Sequence, residues 1–248
     1  MTVDAYAKIN WTLQVLGVRA DGYHDLSSIV LRVPSLCDTV TLEEARGISC
    51  RMEGLDVPEE RNLAYRAACA LRDATGCACG VRLSVVKRIP VGAGLGGGSA
   101  DAAAVLNGLN RLWRLDLPED ELVRIGAGVG SDVPALVLGG PVLMEGRGER
   151  VRRLSPADVD AADPLPSSDE LEVFTPEIVV STVSVYREFR MADRGLFRND
   201  LQPAAIRLYP GIADAIRSLE MKGLRRVTMS GSGSAVYGVR MREPQDAR

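Results

Sequence analysis

A chain of 248 residues has room for one large domain or two small ones. Its composition, 46% hydrophobic and 25% charged, is that of a globular protein and excludes a mainly disordered chain. Thirty basic against thirty-three acidic residues, a net charge of −3, leave no broad basic field, so neither nucleic acid nor an anionic membrane is expected as the main partner.

No apolar run nears the roughly 20 residues a membrane helix needs. Met1-Thr2-Val3-Asp4 lacks the basic-then-apolar pattern of a leader. Five cysteines, an odd count, then point to reduced thiols and a cytoplasmic location, with Cys77 and Cys79 read as ordinary thiols. His24 is the single histidine. A multi-histidine zinc site is thereby excluded, and any Ser-His-Asp or Cys-His machinery would depend on that one side chain.

In chain order, residues 3–15 read as a β-like stretch, and Asp21-Gly22-Tyr23-His24 as a turn. Residues 30–33 and 39–42 read as two short strands. Leu63, Ala67, Ala70, Leu71 and Ala74 recur at helical spacing, which predicts a helix over 63–74. Val81, Leu83 and Val85 alternate with Arg82 and Ser84, the period of a half-buried strand.

Pro90-Val91-Gly92-Ala93-Gly94-Leu95-Gly96-Gly97-Gly98-Ser99 follows. Five glycines within 92–98 exclude regular helix or strand there. A helix comes next, with Ala102, Val105, Leu106, Leu109, Leu112 and Trp113 on one face. Ser99 is the expected N-cap, with Asp101 in the first turn, where negative charge is favoured. A second helix is expected from about Pro118 to before Gly126. Residues 155–172, with three prolines, six acidic residues and no Lys or Arg, read as a solvated linker between two lobes. Beyond it, 177–180 and 227–229 read as strands, 212–219 as a helix, and 235–239 as a final strand after the glycine-serine turn at 230–234.

Strand, glycine turn, helix N-terminus is a device for holding phosphate. Glycines let backbone N–H groups converge without Cβ clashes, and the helix start adds unpaired donors and a partial positive charge. No Gly-Lys-Ser/Thr closes the turn, so it is not a Walker A loop. Gly92, Gly94 and Gly97 have dinucleotide-fingerprint spacing, with Asp116 as the acidic partner, but Asp116 sits ahead of a helix start rather than at a strand end.

The run ending Gly94-Leu95-Gly96-Gly97-Gly98-Ser99 resembles the phosphate loop of the GHMP kinases. Ala7-Lys8-Ile9-Asn10 with Gly22-Tyr23-His24-Asp25 is similar to the family's N-terminal motif, and Met229-Ser230-Gly231-Ser232-Gly233-Ser234 to its C-terminal glycine motif. Gly130-Ser131-Asp132-Val133-Pro134 and Asn199-Asp200-Leu201 also match, in the family's order.

The resemblance implies a two-lobed α+β GHMP kinase fold with the active site in the cleft between lobes: 1–154 a nucleotide-binding lobe, 155–248 a lobe capping the substrate. It implies ATP as co-substrate, with Mg²⁺ arriving bound to ATP and no protein ligand named for the metal. The motif variants point to the branch of non-mevalonate isoprenoid biosynthesis that phosphorylates the 2-hydroxyl of a cytidine-diphosphate alcohol; the other reading is a kinase of a small alcohol such as homoserine or mevalonate. Oligomeric state is not indicated.

For individual residues it implies Asp132 as catalytic base and Lys8 as the cation beside it, although a lone lysine in a strand-like run would otherwise read as solvated. ATP would be bound by Pro90, Val91, Gly92, Ala93, Gly94, Leu95, Gly96, Gly97, Gly98, Ser99 and Ala100, with Asn62, Leu63 and Lys87 near the adenine. The acceptor would meet Asn10 and Thr182, its base stacking on Tyr23 and Tyr186 and bonding His24. Ala100 stands where many relatives have a second serine, and Trp11, bulkier than the usual aliphatic, is expected to narrow the site.

Overall fold

One long strand organises the molecule. The computed structural model describes residues 1–159, 161 and 163–240. Strand β1 (Thr2–Asn10) and β2 (Gln14–Val18) lie antiparallel to β3 (His24–Ala45). The two short strands expected at 30–33 and 39–42 are thus parts of one strand. Pro34 does not break it because the β1–β3 register slips between Tyr6 and Ala7, leaving extra residues on β3 just where an N–H is missing.

Next come β4 (Ile48–Glu53), helix α1 (Leu63–Thr75) and β5 (Gly80–Val86). Asn62 caps α1 by accepting from the Ala64 N–H at 2.9 Å, and Gly76 ends it at φ 65° in the left-handed region. Helix α2 (Gly97–Leu112) is followed by α3 (Glu119–Ala127), α4 (Val133–Leu138), β6 (Val142–Gly146) and β7 (Arg150–Arg153). Among the described residues this makes a seven-stranded sheet with the path β4-β5-β3-β6-β7, β1 and β2 pairing β3. Only β4 and β5 run parallel, joined by α1 as crossover. Helix α2 lies on the sheet, Ala102, Val105, Leu106 and Leu109 fully buried as the apolar face predicts.

The remaining elements are β8 (Leu171–Phe174), α5 (Thr182–Glu188), α6 (Gln202–Leu208), α7 (Gly211–Met221), β9 (Arg225–Met229) and β10 (Val236–Val239). A second sheet has the order β8-β10-β9, all antiparallel. The strand expected at 177–180 is absent; the strand lies earlier, at Leu171–Phe174, where β10 offers a free edge. The acidic stretch is not simply solvated: Asp163 pairs with Arg198 and, at 2.9 Å, with Arg226. Positions 160 and 162 of that stretch, and 241–248, lie outside the described residues.

The apolar cores cross between the halves of the chain. Ala235, Tyr237 and Val239 join the core under α2, while Leu13, Val15 and Leu26 join the core of α6, α7 and β9. Trp11 is buried against Tyr237 with the Arg198 guanidinium 4.5 Å from its ring centre, so it packs the core and does not narrow the cavity described below. Cys77 and Cys79 are joined as a disulfide rather than free, while Cys37, Cys50 and Cys69 are free thiols. No helix among the described residues is long and apolar enough to cross a membrane.

Candidate active site

The glycine turn has the backbone its sequence requires. Gly92, Gly94 and Gly96 sit at φ 70°, 77° and 69°, a region L side chains rarely adopt. At Gly94 a Cβ would also collide with the Ser230 carbonyl oxygen, and at Gly96 it would come within 3.0 Å of the Lys8 side chain. Helix α2 starts three residues earlier than expected, with Gly96 and not Ser99 at the N-cap. Gly97 and Gly98 are therefore helical, and a glycine cap with no side chain leaves the first N–H groups of the helix for a ligand.

The turn is braced from both ends of the chain. The Lys8 N–H donates to the Leu95 carbonyl at 3.0 Å. The Ser230 hydroxyl donates to the Gly94 carbonyl at 2.9 Å and accepts from the Asn10 N–H at 3.3 Å. The Ala235 N–H donates to the Ala93 carbonyl at 2.9 Å. Ala93, Leu95 and Ala100 point into the core, whereas Val91 is exposed at the tip.

Beside the turn stand the two charged groups. Lys8 and Asn10 alternate with Ala7 and Ile9 on β1, but all four are buried, because the turn covers the face that would otherwise be solvated. Lys8 is therefore not a surface lysine. Its Nζ lies 3.3 Å from Asp132 Oδ2 and donates to Asn10 Oδ1 at 2.6 Å. Asn10 is itself held, donating to the Ser28 hydroxyl at 2.8 Å, and Ser28 donates to the Thr12 carbonyl at 2.6 Å. Asp132 occupies the N-cap position of α4 but makes no capping bond. Its carboxylate, 30% exposed, is left to face Lys8 and the open space.

That space is a cavity of about 780 Å³, lined by Lys8, Asn10, Asp132, Gly92, Gly94, Gly96, Ser99 and Leu63, and on the other side by Tyr23, His24, Thr182 and Tyr186. The His24 and Tyr186 rings lie 5.0 Å apart, centre to centre, with Phe189 edge-on to His24 at 5.8 Å. Tyr23 is half-exposed and carries the Arg147 guanidinium 3.7 Å from its ring centre. The Thr182 and Ser232 hydroxyls share a hydrogen bond of 2.7 Å, tying α5 to the second glycine turn. Burial lowers the His24 pKa, keeping the imidazole neutral at neutral pH. Burial, with the Asp132 charge adding to it, pushes the Tyr186 phenol above its usual value.

Comparison with known proteins matches this geometry to a family. The GHMP kinases N terminal domain matches residues 62–140, and the GHMP kinases C terminal domain residues 186–246. A curated protein of Moorella thermoacetica named 4-diphosphocytidyl-2-C-methyl-D-erythritol kinase is 42% identical, over 96% of this chain and 90% of that protein. The chain belongs to the GHMP kinases. A second relative of the same name, from Pelobacter propionicus, is 38% identical over 100% of this chain and 92% of its own. A crystal structure of 4-(cytidine 5'-diphospho)-2C-methyl-D-erythritol kinase superposes with a TM-score of 0.80 at 35% identity, covering 100% of this chain and 92% of that one.

A GHMP kinase takes ATP as co-substrate and acts on small molecules. In this one, the structure gathers Lys8, Asn10, Leu63, Asp132, Gly92, Gly94, Gly96, Ser99, Tyr23, His24, Thr182 and Tyr186 around one cavity, while Pro90, Val91, Ala93, Leu95, Gly97, Gly98 and Ala100 are not on its lining. It does not bring Lys87 or Asn62 to the lining. Lys87 is drawn inward to Asp38 and Asp101, and the Asn62 side chain is committed to the α1 cap and to Cys50 Sγ at 3.1 Å. Sequence reasoning missed Ser131, Arg147 and Arg187, which also line the cavity. Ser131 was legible inside the Gly130-Ser131-Asp132 motif; the two arginines stand in stretches with no local signal.

Proposed function

We propose that this GHMP kinase transfers the γ-phosphoryl group of ATP to the 2-hydroxyl of 4-diphosphocytidyl-2-C-methyl-D-erythritol, yielding the 2-phosphate and ADP, in non-mevalonate isoprenoid biosynthesis. The observation that carries the reading is the Lys8–Asp132 pair, 3.3 Å apart, set between a phosphate-holding turn and a ring-lined pocket in one cavity. The names and near-complete coverage of the relatives support the choice of acceptor.

Phosphoryl transfer needs position and charge more than covalent chemistry. The amides of the glycine turn and of the first turn of α2 hold the triphosphate. The acceptor oxygen forms a bond to the γ-phosphorus as the bond to the β–γ bridging oxygen breaks, and ADP departs with that electron pair. Asp132 takes the hydroxyl proton, and Lys8 offsets charge on the transferring group. Asn10 fixes the Lys8 ammonium, leaving it aimed at the reacting phosphoryl.

At the far end, the cytosine packs on Tyr186, with His24 bonding its edge. The His24 ring already lies against Tyr186, so base binding turns His24 aside or slides past it. Tyr23 stacks from the exposed side once Arg147 moves off its face, and Arg147 and Arg187 place positive charge for the diphosphate. In this proposal 1–154 carries the nucleotide and 155–248 caps the acceptor.

Mg²⁺ enters with ATP. Ser99 and Asp132, which line the cavity beside the turn, are the side-chain oxygens that would hold the ion, and it would supply positive charge against the phosphates. When bound, it neutralises charge between the β- and γ-phosphates.

The test measures ADP release with the cytidylylated acceptor and with its uncytidylylated parent, and in parallel with homoserine and mevalonate. Turnover with the cytidylylated acceptor alone supports the proposal. Equal turnover with a small alcohol overturns the choice of substrate, and no turnover with any of them overturns the reaction.

A further inference from the structure

A second cavity lies at the end of helix α2 away from the glycine turn. The sixteen residues of the helix set it about 24 Å from that turn. It measures about 620 Å³, and its lining includes Cys79, Glu44, Arg111 and Arg114. Among the described residues the side chains of Arg111, Arg114 and Glu44 make no hydrogen bond or ion pair. Two free cations and one free anion around a space of this size complement a small molecule carrying two carboxylates and one ammonium.

Cys79 is the reactive group on that lining. It is joined to Cys77 across a single residue. Closing so short a loop constrains the unfolded chain little, so the bond is a weak structural staple. Both cysteines are half-buried rather than sealed in the core. The Cys79 backbone N–H donates to Cys77 Sγ at 3.2 Å, and such a bond strengthens when the sulfur carries negative charge. Cys77 is therefore the sulfur equipped to leave as a thiolate, and Cys79 is the one on the cavity.

We propose that the Cys77–Cys79 pair is a thiol–disulfide exchange site, whose partner is a small carboxylate-bearing thiol of the glutathione type seated in this cavity. Arg111 and Arg114 take the carboxylates of the thiol and Glu44 its ammonium. The thiolate of the partner attacks Cys79 Sγ. A sulfur–sulfur bond forms there as the Cys77–Cys79 bond breaks, and Cys77 departs with the electron pair and takes a proton from solvent. A second molecule of the thiol attacks the partner's sulfur in the mixed disulfide and releases Cys79 as a thiolate. The cysteine pair gains two electrons, and the two small thiols lose them as they join into their own disulfide. The reverse sequence, driven by that disulfide, closes the bond again.

The inference stands apart from the kinase reading, because none of these residues lines the cavity that holds Lys8 and Asp132.

The test uses the full chain, oxidised, with three probe thiols: glutathione, neutral 2-mercaptoethanol and cationic cysteamine. Opening of the bond is followed by alkylating the freed thiols and measuring the mass of the protein, with rates expressed per thiolate. Glutathione should react at least about tenfold faster than 2-mercaptoethanol, and cysteamine no faster than 2-mercaptoethanol. High salt should shrink the advantage of glutathione. Replacing both arginines, Arg111→Gln with Arg114→Gln, should bring the glutathione rate down to that of 2-mercaptoethanol and leave the latter unchanged. Both arginines are exposed, so the variant keeps the fold. In Cys77→Ser, oxidised glutathione should leave a mixed disulfide on Cys79, located by peptide mapping.

Equal rates for the three thiols, or a glutathione rate that survives loss of both arginines, overturn the recognition by charge. Modification of Cys37, Cys50 or Cys69 in preference to Cys79, or free thiols at 77 and 79 in the oxidised protein, overturns the site.

Discussion

Asp132 and Lys8 are the residues on which the proposed chemistry turns, and their roles separate cleanly in kinetics. Asp132→Asn keeps shape and hydrogen bonding but removes the base; kcat should fall at least about 100-fold while KM for ATP changes little. An unchanged kcat would reject Asp132 as the base. His24 is expected to take up its proton at lower pH than an exposed histidine would. Its pKa is lowered by burial, so it is neutral at neutral pH and gains charge only as pH falls. If a neutral ring bonds the cytosine edge, KM for the acceptor should be flat near neutrality and rise only at pH below the ordinary histidine range, and His24→Gln should flatten that rise. A rise that survives the substitution belongs to another group.

At the level of elements, the glycine turn is held in place by contacts that leave no room for a side chain. Gly94 combines φ 77° with the Ser230 carbonyl where a Cβ would stand. Gly94→Ala should therefore cost roughly 1–3 kcal/mol of stability and raise KM for ATP. Chemical denaturation and ATP titration measure the two, and a variant with wild-type values would show that the turn is not pinned by residues 230–234. The turn and α2 were legible in the sequence because their signals are local: glycine density, then apolar residues at helical spacing. The same holds for α1, which has its cap and its terminating glycine in the sequence. Helices α4, α5 and α6, and strands β4, β6 and β7, were not singled out. Helices α4, α5 and α6 are six or seven residues long, which leaves barely two turns in which a periodicity can show.

Across the whole molecule, the two sheets are joined at the site. Tyr237 on β10 donates its buried hydroxyl to the Asn10 and Trp11 carbonyls at 2.9 and 3.1 Å, just beyond Lys8 on β1. Asn199 holds the Met229 and Gly231 carbonyls at 2.8 and 2.7 Å, while the Leu13 N–H donates to Arg198 and the Asp200 N–H to Leu13. Tyr237→Phe leaves those carbonyls short of a donor and should cost about 1–3 kcal/mol. Differential scanning calorimetry should show one transition moved down by several degrees, since roughly 2–4 °C accompanies each kcal/mol in a chain of this size. If two separate transitions appear, with only one displaced, the halves unfold independently and the shared cores do not couple them.

Sequence alone was enough for whatever depends on neighbours along the chain: the phosphate turn and its helix, the single histidine, and the ordered motifs that place this chain among the GHMP kinases. Backbone limits and helical spacing act over a few residues, so they leave a readable trace. The folded molecule decided what depends on register between distant strands. It turned Lys8 from an apparent surface residue into the buried partner of Asp132, because the glycine turn closes over that face of β1. It also took Lys87 away from the cavity and bound it to Asp38 and Asp101. Such pairings join residues far apart in the chain, and a carboxylate's partner is set by which strands lie side by side, something no local pattern encodes.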